Sequence, residues 1–129
     1  MGKSFLILMG VAVLAGTRFD PLPMMFIGTW DIDAESCADE DGVTRLRVAE
    51  DGLYFYEWGG TVVSVDSQPD GRTLLQMDWS DVNDVDGEDV PVIRRRSALL
   101  GASQDANRLS VEFEGESVDY VRCPEGLDA

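Results

Sequence analysis

The residue types this chain lacks narrow its chemistry before anything else does. Its 129 residues include no histidine, and the only lysine is Lys3. Without imidazole there is no Ser-His-Asp or Cys-His nucleophile pair and no histidine metal ligand. Beyond Lys3 no amine side chain is available as a base or Schiff-base former. The 25 acids leave carboxylate-pair catalysis formally open, but their spacing singles out no pair. The sequence therefore reads as a non-enzyme with no catalytic residues, no cofactor and no metal centre.

Three constellations remain for binding. The first is the acidic run Asp81 to Asp89, DVNDVDGED, where Asp84 and Asp86, with Glu88 and Asp89, offer oxygens for weak cation contacts. Placing Gly87 at the sixth position of an EF-hand loop puts Val82 first and Ile93 twelfth, where ligands are required, so that motif fails. The plainer reading is a solvated hairpin loop. The second is Arg94-Arg95-Arg96. Strand alternation puts Arg94 and Arg96 on one face and Arg95 on the other, so at least one guanidinium faces inward or a neighbouring layer. Such a group needs a carboxylate or a ligand anion, and the plainer reading is compensation of neighbouring acids. The third is LYFYEW, Leu53 to Trp58, in which Tyr54, Tyr56 and Trp58 share a face. Outward, they form a patch suited to a protein partner. Inward, they are core, and the opposite face with Leu53 and Phe55 is equally able to serve as core.

The elements that must position these residues are short strands. Phe26 to Asp33, FIGTWDID, opens them, with Phe26, Trp30 and Ile32 on one face beside Gly28. Ala34 to Asp41 reads as a polar loop or a single helical turn carrying Cys37. Further strands are expected over Gly42 to Ala49 (Leu46 and Val48 inward), Leu53 to Trp58, and Thr61 to Ser67 (Val63 and Val65 inward). Arg72 to Ser80 alternates most cleanly, with Thr73, Leu75, Met77 and Trp79 inward. Val90 to Leu100, Asn107 to Glu114 and Ser117 to Cys123 complete the set. Turn signals fall between them at Glu50-Asp51-Gly52, Gly59-Gly60, Gln68-Pro69-Asp70-Gly71 and Gly115. Eight sequential strands of this kind predict an all-β antiparallel meander closing into a barrel, with a β-sandwich as the alternative.

Met1 to Ala15 has a basic start, an apolar run and small residues at its end, the layout of a signal peptide. Residues 16–25 read as a linker, 26–124 as the single domain and 125–129 as a tail. The competing reading keeps the leader as an uncleaved anchor, although Asp20, Pro21 and Pro23 interrupt its continuation. Export makes a Cys37–Cys123 disulfide the simplest use of the two cysteines, pinning the barrel's seam. The formal charge is −15. Without the leader, nine arginines face 25 acids, a net of −16. Such a surface repels nucleic acid and anionic membranes and suits a basic protein partner.

Gly28-Thr29-Trp30 near the start of a predicted eight-strand meander resembles the G-x-W opening of lipocalin-like barrels. With Cys37 behind it, the stretch is also similar to small periplasmic metalloprotease inhibitors, although their second cysteine comes earlier than Cys123. Gly28-Thr29-Trp30, Cys37, Leu53-Tyr54-Phe55-Tyr56-Glu57 and Arg122-Cys123-Pro124 together resemble uncharacterised exported proteobacterial proteins. The resemblance implies a periplasmic or secreted barrel with no stable membrane insertion once the leader is removed. The functional expectation is an inhibitor-type binding module that meets a basic protein. The alternatives are a lipocalin-like carrier of a small apolar ligand, which needs a hollow interior, and a structural envelope protein. The candidate binding residues are Tyr54, Tyr56, Trp58, Arg95, Asp84 and Asp86.

Overall fold

The alternation in the fifth predicted strand carries through into the computed structural model, which describes residues 21–125: Thr73, Leu75, Met77 and Trp79 are all buried. The strands are β1 (Gly28–Asp31), β2 (Leu46–Ala49), β3 (Gly52–Tyr54), β4 (Gly59–Ser67), β5 (Thr73–Val85), β6 (Glu88–Ala102), β7 (Arg108–Phe113) and β8 (Glu116–Arg122). A single turn of helix, α1 (Ala34–Cys37), follows β1. Each strand pairs antiparallel with the next, and β8 returns to β1 through Trp30 opposite Arg122 and Asp31 opposite Val121. The result is a closed eight-stranded meander barrel, the expected architecture. The Cys37–Cys123 disulfide is formed and is compatible with an oxidising, exported location.

Several boundaries differ from the sequence expectation, each for a physical reason. The first strand spans Gly28–Asp31 rather than Phe26 to Asp33. Phe26 is buried from a 3-10 turn ahead of it, and Ile32 is exposed because the chain leaves the sheet to enter α1. The second strand starts at Leu46, since residues 42–45 belong to the loop that returns from α1. The third ends at Tyr54, where Phe55 N–H donates to the Trp58 carbonyl and turns the chain. In β4 the inward valines are Val62 and Val65, not Val63 and Val65. A register shift between Val62 and Ser64 inserts one residue, and that reverses the parity of everything before it. The predicted signal peptide, residues 16–20 of the linker and residues 126–129 of the tail lie outside the described residues. Leu22, within the stretch read as linker, is buried in the barrel core.

One end of the barrel is plugged. Trp30 is fully buried, and its indole N–H donates to the Phe26 carbonyl at 2.9 Å. The Arg122 guanidinium lies 4.2 Å above the Trp30 ring and donates to the carbonyls of Ile27, Met25 and Ala106, each at 2.8 Å. The cation therefore ties the lead-in segment to the last strand while covering the tryptophan face. Leu22, Phe26, Leu46, Val48 and Leu100 fill the space around it.

The other end is built differently, because β5 and β6 outrun their neighbours. β4 reaches β5 only as far as Trp79, and β7 reaches β6 only as far as Ala98. From Ser80 to Ser97 the two strands pair with each other alone, to the tip at Val85 opposite Glu88. Asp81 to Asp89, expected as a loop, is therefore mostly strand. Its turn is only Asp86-Gly87, both at positive φ (54° and 86°), the backbone that a two-residue hairpin needs. Asp86 thus serves the turn, and the Asp84 carboxylate accepts from Gly87 N–H at 2.9 Å.

Candidate functional site

At the end opposite the plug the barrel interior widens into a half-open cup of about 400 Å³. Trp79 of β5 forms its centre because Gly60 of β4 leaves room: a Cβ at Gly60 would lie 2.4 Å from the indole Cε3. Phe113 and Phe55 flank the Trp79 ring with centroids 5.0 and 5.7 Å away. Trp58, Tyr120, Val111 and Val118 complete the apolar wall. A second hollow of about 400 Å³ adjoins it, shares Phe55, Trp58, Val118 and Tyr120, and is edged by Ile32, Val43 and Tyr56. Ile32, Val43, Tyr56, Trp58 and Val118 are all exposed. The mouth is thus a concave aromatic surface with an apolar rim, the combination that receives apolar groups. Gly60→Ala is expected to push the Trp79 ring off its seat, lowering stability by about 1–3 kcal/mol. A shifted tryptophan emission spectrum together with a lower urea midpoint is the measurement.

Charge is arranged around this aromatic floor. Arg96, opposite the buried Met77, points into the barrel at the base of the hairpin arm, on the face that alternation denies to Arg95. Its guanidinium donates to Asp81 at 2.9 Å, bonds Glu114 and lies 5.9 Å from the Phe113 ring centre. Its Nε is shut away from solvent and has no hydrogen-bond partner. Asp81 also meets Arg94 at 3.3 Å and accepts Val82 N–H at 2.9 Å. The Val82 amide first, then the Arg96 and Arg94 guanidiniums, hold the Asp81 carboxyl below the usual carboxylate range. A lowered folded-state pKa means this grip is complete above the ordinary value of about 3.8. It is lost as pH falls through the folded value. Thermal midpoints measured from pH 7 to pH 3 should therefore fall less in Asp81→Asn than in the parent chain. Tyr120 is buried, and desolvation first, then the Asp31 charge, raises its phenol pKa.

The structure divides the residues that the sequence grouped. Tyr56 and Trp58 stand at the mouth, exposed, in the turn between β3 and β4. Tyr54 does not join them. It lies on the barrel's outer wall beneath Arg47, 4.6 Å from ring centre to guanidinium carbon, and donates to Asp51 at 3.0 Å. The strand ends between Tyr54 and Tyr56, so the shared face never forms. Arg95 points away from the mouth and pairs with Asp78 at 2.8 Å. Asp84 and Asp86 are at the arm's tip, far along the strand from the cup. Among the described residues no cluster of three or more His, Cys, Asp or Glu is placed to hold a metal ion. Phe55, Trp79, Arg96, Phe113 and Tyr120 were missed as site residues. For all but Phe55, which follows β3, their signal was the inward parity of four strands, β5 to β8, and that same parity marks ordinary core.

A wider hollow of about 570 Å³ lies outside the barrel between residues 38–42 and the β2–β3 wall. Its lining combines five charged side chains with Tyr54, Phe55 and Tyr56 and exposes more polar than apolar surface, the reverse of the cup, so it offers less to an apolar ligand. No helix among the described residues is long and apolar enough to cross a membrane. Comparison with protein-family models, with curated proteins and with solved structures finds no match.

Proposed function

We propose that this protein is a non-enzymatic, exported binding module of the periplasm or the extracellular medium that takes a small apolar group into the open mouth of its barrel. The observation that carries this is the aromatic cup: about 400 Å³, within the size range of small-ligand pockets, at the one end of the barrel that is not plugged. The core packed with Trp30 closes the other end, so the site is a shallow receptacle rather than a through-cavity. The absence of histidine, and the binding of Asp81 and Glu114 to Arg96, support a binding role over a catalytic one. The G-x-W resemblance to lipocalin-like barrels agrees with this reading at the level of fold.

The test uses a neutral apolar fluorophore, N-phenyl-1-naphthylamine, titrated into the full chain. One dye per barrel is expected, with energy transfer from Trp79 and Trp58. Trp58→Ala should weaken the dye about tenfold, yet change stability by no more than about 0.5 kcal/mol because the side chain is exposed. Absence of dye binding, or binding indifferent to Trp58→Ala, would overturn the proposal.

A second reading, docking of a basic protein partner, is favoured by the exposed Tyr56 and Trp58 on a chain of net charge −15. It requires capture of one partner at low salt, released as salt rises and lost in the Tyr56→Ala, Trp58→Ala double variant.

A further inference from the structure

The polar groups around the cup say which kind of apolar group it is suited to. Four carboxylates, Glu57, Asp81, Glu114 and Glu116, line the two adjoining hollows of the mouth. Two guanidiniums, Arg94 and Arg96, are engaged by Asp81 and Glu114. Four negative charges against two positive leave a net of −2. Glu57 and Glu116 supply it, and among the described residues neither has a salt-bridge partner. An anionic ligand would meet this excess as well as the charge of the whole chain. The Nε of Arg96, the donor left over, is shut off from the open space and cannot compensate by receiving an anion.

The aromatic floor favours the same sign. Ring faces carry negative potential, and a cation within about 6 Å of a ring centre is attracted to it. The wall already holds one cation this way, with Arg96 over Phe113. Trp58 and Trp79, the ring type most favourable for such contacts, also line the cup, and neither holds Arg96 as Phe113 does. We propose that the ligand of the mouth is an organic cation: an ammonium group carried on an aromatic or alicyclic body, with the body on Trp79 and Phe55 and the charge answered by Glu57 and Glu116. This rests on the cup being the binding site and adds the ligand's charge to it.

Three probes of one shape and different charge test it. Benzyltrimethylammonium, neopentylbenzene and phenylmethanesulfonate are titrated separately into the full chain at low salt, followed by tryptophan emission and calorimetry. The cation is expected to bind at least tenfold more tightly than its neutral isostere, with the anion weakest. Rising salt should weaken the cation alone, since screening acts on charge. Glu57→Gln combined with Glu116→Gln should reduce cation affinity fivefold or more while leaving the neutral probe unchanged. Both side chains are exposed, so this variant should fold as the parent does.

If the neutral probe equals or exceeds the cation, the charge assignment falls while the cup remains a binding site. If the anion binds most tightly, the assignment is reversed and Arg96 becomes the group to examine. If none of the three binds, both the ligand class and the cup fall.

Discussion

Asp31→Ala should destabilise the barrel by about 3–5 kcal/mol, out of proportion to the atoms removed. Asp31 is fully buried, although it points away from the barrel interior, because the segment from α1 to Arg45 folds back over the outside of β1. Its carboxylate accepts from Thr44 Oγ1 at 2.6 Å, from Ile32 N–H at 2.8 Å and from Arg45 Nε at 3.3 Å. Arg45 then donates to the carbonyls of Ser36, Cys37 and Asp39. One carboxylate therefore anchors the cation that organises the whole segment. Removing it leaves a partly buried guanidinium without a counter-charge and two donors without an acceptor. Replacing both partners, as in Asp31→Leu with Arg45→Met, should recover much of the loss, since an uncompensated charge costs more than a missing ion pair. Urea unfolding of the two single variants and the double variant measures this. Additive losses would show that Asp31 and Arg45 do not act as a unit.

Loss of the Cys37–Cys123 bridge is expected to cost a similar amount. The two cysteines are 86 positions apart, and the chain-entropy account for a loop of that length gives about 4–5 kcal/mol. For a domain of this size that is a large fraction of the whole stability. The Cys37→Ser, Cys123→Ser variant should remain a barrel at low temperature, because β1 and β8 still pair, but unfold at a much lower urea concentration. The bridge and the Asp31–Arg45 contact restrain the same segment, with Arg45 bonded to the Cys37 carbonyl itself. Their losses should therefore couple, so the combined variant would differ from the sum by more than about 0.5 kcal/mol. A strictly additive result would mean that the disulfide acts only through the unfolded chain and not through the native loop.

The disulfide also shows how far a sequence argument reached. Two cysteines near the ends of an eight-strand meander were expected to pair at the seam, and they do. Cys37 sits on the single helical turn expected after the first strand, and because that turn lies outside the sheet the bridge pins a covering loop to the end of β8. The candidate site was legible in part. Tyr56 and Trp58 were named and stand at the mouth, and the alternation of Arg94 and Arg96 against Arg95 held. Tyr54, Arg95, Asp84 and Asp86 went elsewhere. A turn at residues 55–58, paired strands continuing through Asp84, and a left-handed turn residue at Asp86 each overrode a local pattern.

By itself the sequence determined strand number, order and most inward faces, because period-two alternation and turn residues act within a few neighbours. It also set the charge and the absence of histidine chemistry. Only the tertiary structure decided which inward residues become packed core and which line an open cup. That depends on where β4 and β7 stop alongside β5 and β6, on the plug that Leu22, Phe26 and Arg122 place at the other end, and on Gly60 admitting Trp79. Inward parity is the same for a filled interior and an empty one; the difference is made by residues distant in sequence that do or do not arrive to fill it.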